Sequence, residues 1–141
     1  MDQRLTLITL GVSNLQTSID FYEKKFGWQR TAASNGDIVF FQLNGIQLAL
    51  FPRESLAEDA HVASGGTGFR GFTLAYNTRS EAEVDAVVNH LRGQGVTVVK
   101  EPQKVFWGGY SSYVSDPDGN LWEIAYNPYL PMDEKGNVIG Q

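Results

Sequence analysis

Glu123 is the side chain in this sequence best placed to do chemistry. It stands between Trp122 and Ile124 in the run LWEIAY, Leu121 to Tyr126, directly after Asp116-Pro117-Asp118-Gly119-Asn120. Pro117 presets φ for a turn and Asp118-Gly119 tolerates positive φ, so the stretch predicts a tight turn followed by a strand. Alternation along that strand puts Leu121, Glu123 and Ala125 on one face and Trp122, Ile124 and Tyr126 on the other. The aromatic face suits packing against a helix. The other face holds a carboxylate between apolar neighbours, and an inward carboxylate needs a partner, a metal or a wet cavity. The plain alternative is that Glu123 pairs with a lysine, an arginine or backbone donors.

Other residues could touch a ligand. In KVFWGGYSSY (104–113), Trp107 precedes Gly108-Gly109, and the glycine pair lets a loop bend closely over a bound molecule. Trp107 could stack on a planar substrate, or it and Phe106 could simply support the sheet. Arg70 could bind a ligand carboxylate, or be an ordinary surface arginine. Gln47 and Thr73 are neutral polar residues on expected strands, able to hydrogen-bond a ligand or to be satisfied by backbone. His61 falls in a polar linker, where a histidine is ordinarily solvated, and His90 falls on a helix.

Composition narrows the classes. The 141 residues are enough for one domain with a proper core. Eleven basic against 16 acidic residues, with no basic run or stripe, argue against a nucleic-acid partner. No apolar run is long enough to cross a bilayer and no signal-peptide pattern opens the chain, so a cytoplasmic protein is expected. The sequence has no cysteine, which excludes disulfides, thiolate metal sites and cysteine nucleophiles.

The elements that must position these residues come in two similar sets. Thr6 to Val12 predicts a strand. Ser13 with Gln16 reads as a capping box, and Leu15, Ile19, Tyr22 and Phe26 make the apolar stripe of a helix ended by Gly27. Trp28 to Ala33 predicts a strand, Asn35-Gly36-Asp37 a turn, and Ile38 to Leu43 the next strand. Asn44-Gly45 predicts a type I′ hairpin into Ile46 to Phe51, with Pro52 as the stop. Arg53 to Thr67 reads as a linker or surface loop, with room for a short helix within Glu54 to Ala60.

The second set repeats the order. Gly71 to Asn77 predicts a strand. Ser80 with Glu83 caps a helix whose stripe is Val84, Val87, Val88 and Leu91, stopped by Gly93 and Gly95. Strands follow at Val96 to Lys100, Gly108 to Ser115 and Leu121 to Tyr126. The expected architecture is α+β with two βαβββ modules: module one at 4–53, a linker at 54–69, module two at 70–127 and a tail at 128–141. The tail, with Pro128, Pro131 and Gly136, is expected to wrap the surface or a partner subunit.

The stretches LGVSNLQTSIDFYEKKFGW (10–28), GFTLAYNTRSEAEVDAVVNHLRGQGVTVVKEP (71–102) and SDPDGNLWEIAY (115–126), in this order, resemble the vicinal oxygen chelate superfamily of glyoxalases, bleomycin-resistance proteins and extradiol dioxygenases. With the duplicated module, the resemblance covers almost the whole chain. It implies that the modules make an open, cup-shaped barrel with the reactive pocket inside, and that Trp107 lies beside its mouth. It also implies a divalent metal held by histidines and glutamates of both modules, chelating two neighbouring oxygens of a substrate. The family's ligand positions fall on Leu7, Gln47, Thr73 and Glu123, of which only Glu123 is a strong ligand. A cage generally needs three or more good donors, so no metal or other cofactor is expected. The reading that follows is a protein that binds a small organic molecule, resembling the metal-free drug-sequestering branch. The alternative is a metal-dependent lyase, isomerase or dioxygenase that uses Glu123. A homodimer is expected as well.

Overall fold

The computed structural model describes Met1 and residues 3–140. The chain divides into two compact units, Met1–Gly68 and Phe69–Gln141. The class is mixed α+β, and each unit carries its own sheet. Among the described residues no helix is long and apolar enough to cross a membrane.

The first unit contains β1 (Leu7–Val12), a helical segment, β2 (Val39–Gln42), β3 (Gln47–Pro52) and a following helix (Arg53–Asp59). The sheet order is β1-β3-β2, with β1 parallel and β2 antiparallel to the central β3. Leu48, Ala49 and Leu50 are all fully buried, as expected for a strand covered on both faces.

The first helical segment begins as an α-helix, α1 (Leu15–Asp20), and continues as a π-helical turn over Phe21–Lys25. Its cap is Asn14, whose side chain accepts from Thr17 N–H at 2.9 Å; the expected cap at Ser13 is therefore one residue early. Asparagine caps as well as serine does, and here its carboxamide reaches the open N–H. The π turn widens the apolar stripe, so Phe21 is buried along with Ile19 and Tyr22. Phe21, Tyr22, Phe26, Trp28 and Phe41 form a cluster of rings with centroids 5.0 to 5.9 Å apart.

The strand expected at Trp28 to Ala33 does not form; a single bridge, Arg30 to Phe41, marks its place. Trp28 is held in the ring cluster. The Ser34 hydroxyl accepts from Phe40 N–H at 2.9 Å, so a side chain replaces the next ladder bond. The Asn44-Gly45 connection closes through Leu43 N–H to Ile46 O at 2.9 Å, with Gly45 at φ 79°. It is not the expected type I′ turn, because that needs positive φ at both central residues and Asn44 lacks it.

The segment read as a linker begins with a helix, α2 (Arg53–Asp59), capped at Pro52. It lies against β1 so closely that a Cβ on Gly11 would stand 3.3 Å from both Arg53 Cα and Leu56 Cδ2. Gly11 is thus the residue that admits α2 onto the strand.

The second unit runs β4 (Leu74–Thr78), α3 (Glu81–Gly93), β5 (Thr97–Lys104), β6 (Tyr110–Ser115) and β7 (Leu121–Tyr126), a complete βαβββ module. Its sheet order is β4-β7-β6-β5, with β4 parallel to β7 and the other pairs antiparallel. Ser80 caps α3 by accepting from Glu83 N–H at 3.1 Å, and the Glu83 carboxylate returns to Arg79 N–H at 2.8 Å. Val84, Val88 and Leu91 bury the stripe of α3, which packs on β5, β6 and β7. Val114, Trp122 and Ile124 are the buried apolar residues of the sheet face turned to it. Tyr110 reaches α3 as well, donating its hydroxyl to Asp85 at 2.8 Å.

Five-residue turns of one design close two of this unit's hairpins. In Asp116–Asn120 the Asp116 carboxylate accepts from the N–H groups of Asp118 and Asn120 and from the Asn120 amide. In Asp133–Asn137 the Asp133 carboxylate accepts from Lys135 N–H, Asn137 N–H and the Asn137 amide in the same way. The second turn folds the tail into a small loop bridged between Met132 and Val138. Arg79 anchors that loop by donating to the Asp133 carbonyl at 2.6 Å.

Candidate functional site

The second unit's sheet has a polar face opposite α3. Its residues follow from the register: Glu123 pairs with Ala75 on β4 and Tyr113 on β6, and Tyr113 pairs with Lys100 on β5. The row Ala75–Glu123–Tyr113–Lys100 therefore crosses all four strands on one face. Ser111 and Ala125 make the next pair along that face.

Glu123 is half-buried. Its hydrogen-bond donor is the Ser111 hydroxyl, 2.7 Å from Oε2, which is a diagonal neighbour across β6 and β7. The lysine, arginine or backbone partner offered by the plain reading is replaced by this neutral hydroxyl. Ser111 is buried and spends its proton on the carboxylate. Oε1 is left with no protein donor among the described residues. An open carboxylate oxygen on a partly covered face can accept a hydrogen bond or a proton from a bound molecule.

Tyr113 and Lys100 extend this face. The Lys100 ammonium stands 5.7 Å from the centre of the Tyr113 ring, and Lys100 is half-buried. Sequence reasoning passed over Ser111, Tyr113 and Lys100. The alternation of SSYVS marks Ser111 and Tyr113 as sharing a face, and that signal was legible; the placement of Lys100 was not, because it depends on a register shift between β5 and β6.

The other expected site residues lie as follows. Thr73 is exposed and precedes β4, so it is not on the strand expected there, which begins at Leu74. Arg70 donates from Nη1 to Asn120 Oδ1 at 2.8 Å and from Nη2 to the Asp118 carbonyl at 3.0 Å, tying the start of the unit to the β6–β7 turn. Trp107 is 40% exposed, and its ring lies against the Gly109 backbone, occupying the space a side chain there would need. Phe106 projects fully into solvent, so it does not support the sheet. Gly108, at φ 97°, packs beside the Tyr129 ring.

Gln47, in the first unit, pairs with Leu7 on β1 and Gln42 on β2. Its amide nitrogen donates to Gln42 Oε1 at 3.0 Å. His61 lies in an exposed loop at φ 57°, and His90 is exposed on α3, 3.0 Å from the Gln94 amide.

The donors at the four implied metal positions do not fit a resident transition metal. Leu7 has no donor atom, Thr73 and Gln47 carry neutral oxygens, and Glu123 already accepts from Ser111. One carboxylate with weak neutral oxygens is a poor set for zinc, nickel or iron. Among the described residues no group of three or more His, Cys, Asp and Glu side chains is arranged to hold a metal ion.

Comparison with known proteins agrees with the fold and the motifs. The family model described as Glyoxalase/Bleomycin resistance protein/Dioxygenase superfamily matches residues 4–124. A solved structure of a glyoxalase-related enzyme from Fulvimarina pelagi is 37% identical, with a TM-score of 0.86 over 98% of each chain. A metallothiol transferase of Lysinibacillus sphaericus is 30% identical over 128 residues, covering 86% of this chain and 81% of that protein. A lactoylglutathione lyase of Arabidopsis thaliana is 28% identical over 138 residues, 92% of this chain; the chain spans only 46% of that protein's length.

Proposed function

We propose, because this chain belongs to the glyoxalase, bleomycin resistance protein and dioxygenase superfamily, that it binds a small organic molecule on the polar sheet face around Glu123 and does so without a resident transition metal. The observation that carries the reading is the Glu123 carboxylate. One oxygen is held by Ser111 at 2.7 Å and the other is open to a guest. Tyr113 supplies an aromatic wall beside it, suited to a planar or partly apolar ligand. Thr73, near the start of β4, adds a hydroxyl at that end of the face, and Trp107 offers a half-open ring in the β5–β6 loop. Arg70 belongs to this reading only through guanidinium N–H groups other than the two that hold the turn. Gln47 contributes a neutral polar contact within its own unit. The protein works in the cytoplasm as a homodimer, with no nucleic-acid or membrane partner.

A second reading rests on the relatives. Likeness to a metallothiol transferase and a lactoylglutathione lyase supports an enzyme of lyase, isomerase or dioxygenase type. In that reading Glu123 is the general base or acid, its open oxygen set to exchange a proton with substrate.

A small-molecule fragment set titrated into isotope-labelled protein tests the main reading. Amides of Ser111, Tyr113 and Glu123 should shift together for the fragments that bind. Fragments that bind only elsewhere, leaving those amides unmoved, would count against it.

A further inference from the structure

Lys100 reaches the Glu123 face because β5 is irregular. Thr97 opposes Ser115 and Val98 opposes Val114, but Lys100 opposes Tyr113 and Gln103 opposes Ser111. The register shifts between Val98 and Lys100, and again between Lys100 and Gln103. Each shift adds one residue to β5. Unbroken pairing from Val98 would have set Lys100 against Ser112, on the α3 side where Ser112 and Val114 are fully buried. An ammonium there would lie over the buried Ser112 and Val114 and lose much of its hydration. The first bulge turns Lys100 to the other face, and the second keeps Gln103 there too.

Once there, Lys100 makes no ion pair among the described residues. It leans over the Tyr113 ring, half-buried, one strand beyond Glu123's own partner. Adjacent strands lie about 4.8 Å apart, so the Lys100 and Glu123 backbones are roughly 10 Å apart across Tyr113. A cation and an open carboxylate thus flank one aromatic ring.

Resting on the ligand-binding reading above, we infer that Lys100 is a specificity residue which receives an oxyanion, carboxylate or phosphoryl, of a ligand whose other end offers a hydrogen-bond donor to Glu123. The ligand lies along Tyr113. The β5 bulges are the device that aims the ammonium, and the two charged ends select a molecule that is anionic at one end and a donor at the other.

The test uses para-hydroxybenzoate, its neutral analogue para-hydroxybenzamide, and para-hydroxyphenyl phosphate, each titrated into labelled protein. Para-hydroxybenzoate should shift amides of β5, β6 and β7. Lys100→Met keeps the alkyl stem and removes the charge, and should weaken para-hydroxybenzoate about tenfold, equivalent to roughly 1.4 kcal/mol. Lys100→Arg should retain most of the affinity, and para-hydroxybenzamide should bind both variants alike. Tighter binding of para-hydroxyphenyl phosphate than of para-hydroxybenzoate, with the same dependence on Lys100, assigns the oxyanion as phosphoryl; the reverse assigns a carboxylate. Equal affinity of wild type and Lys100→Met for both anions overturns the inference while leaving the ligand site standing. If none of the three compounds moves the β6 and β7 amides, both the inference and the reading beneath it fail.

Discussion

Arg70 and Asn120, fifty positions apart, are joined by a 2.8 Å hydrogen bond from the guanidinium Nη1 to the carboxamide oxygen. A second bond runs from Nη2 to the Asp118 carbonyl. Asn120 in turn donates to Asp116, so Arg70 is the outer member of a chain of contacts that holds the β6–β7 turn. That turn sets the start of β7 and hence the position of Glu123.

Arg70→Ala should therefore lower stability by about 1 kcal/mol, the usual scale for a solvent-accessible charge-assisted bond, or about 3 °C in Tm. Urea unfolding measures it. An unchanged midpoint would mean that water replaces both bonds without loss.

Glu123→Gln retains the shape and still lets Ser111 donate to a side-chain oxygen. Stability should move by less than about 0.5 kcal/mol. The preference for para-hydroxybenzoate over benzoate should shrink about fivefold, since a neutral amide is a weaker acceptor for the phenol than a carboxylate. Competition titrations of the two compounds read the ratio directly; a stability loss with an intact ratio would assign Glu123 to the fold alone.

Purified protein should hold far less than one zinc, nickel, iron or manganese per chain, because Leu7 and Thr73 stand at the positions for which the family resemblance implies imidazoles. Elemental analysis after mild purification checks this. A stoichiometric, tightly held metal would favour the enzyme reading instead.

Acid should loosen the first unit through Glu23 and Arg30, which pair at 2.7 Å. The hydrogen bond from Arg30 holds the Glu23 carboxyl below its ordinary value of 4.5, against a smaller opposing effect of burial. A carboxyl whose folded-state value is depressed adds stability above its unfolded value and loses it as pH falls through the folded one. The contribution is thus complete near neutrality, begins to fall near pH 4.5 and is gone once the pH is below the depressed folded-state value. For a solvent-screened surface pair that contribution is small. Glu23→Gln should flatten that part of the stability profile, and parallel profiles for the two proteins would rule the pair out as a contributor.

Light scattering at micromolar concentration should give a dimer mass. Tyr129, Val138 and Ile139 in the tail remain 67%, 60% and 48% exposed, apolar surface that a two-fold partner would cover. A monomer mass would remove this expectation.

Much of the second unit was legible in the sequence because its signals are local. Asp116-Pro117-Asp118-Gly119 makes a turn from its own side chains, and the alternation after it sorts Glu123 from Trp122 and Ile124 without reference to any distant residue. Ser80, Glu83 and the valines of α3 are equally self-contained. Trp28 to Ala33 was not legible, because its β-like composition yields to a ring cluster and to Ser34 taking the Phe40 N–H. The π turn after Asp20 was hidden too, since the stripe from Leu15 to Phe26 fits an ordinary helix and only packing brings Phe21 inside. The direction of Lys100 depended on tertiary structure most of all. Sequence parity puts it on the same side as Val98, and only the pairing of β5 with β6 inserts the extra residue that turns it toward Glu123.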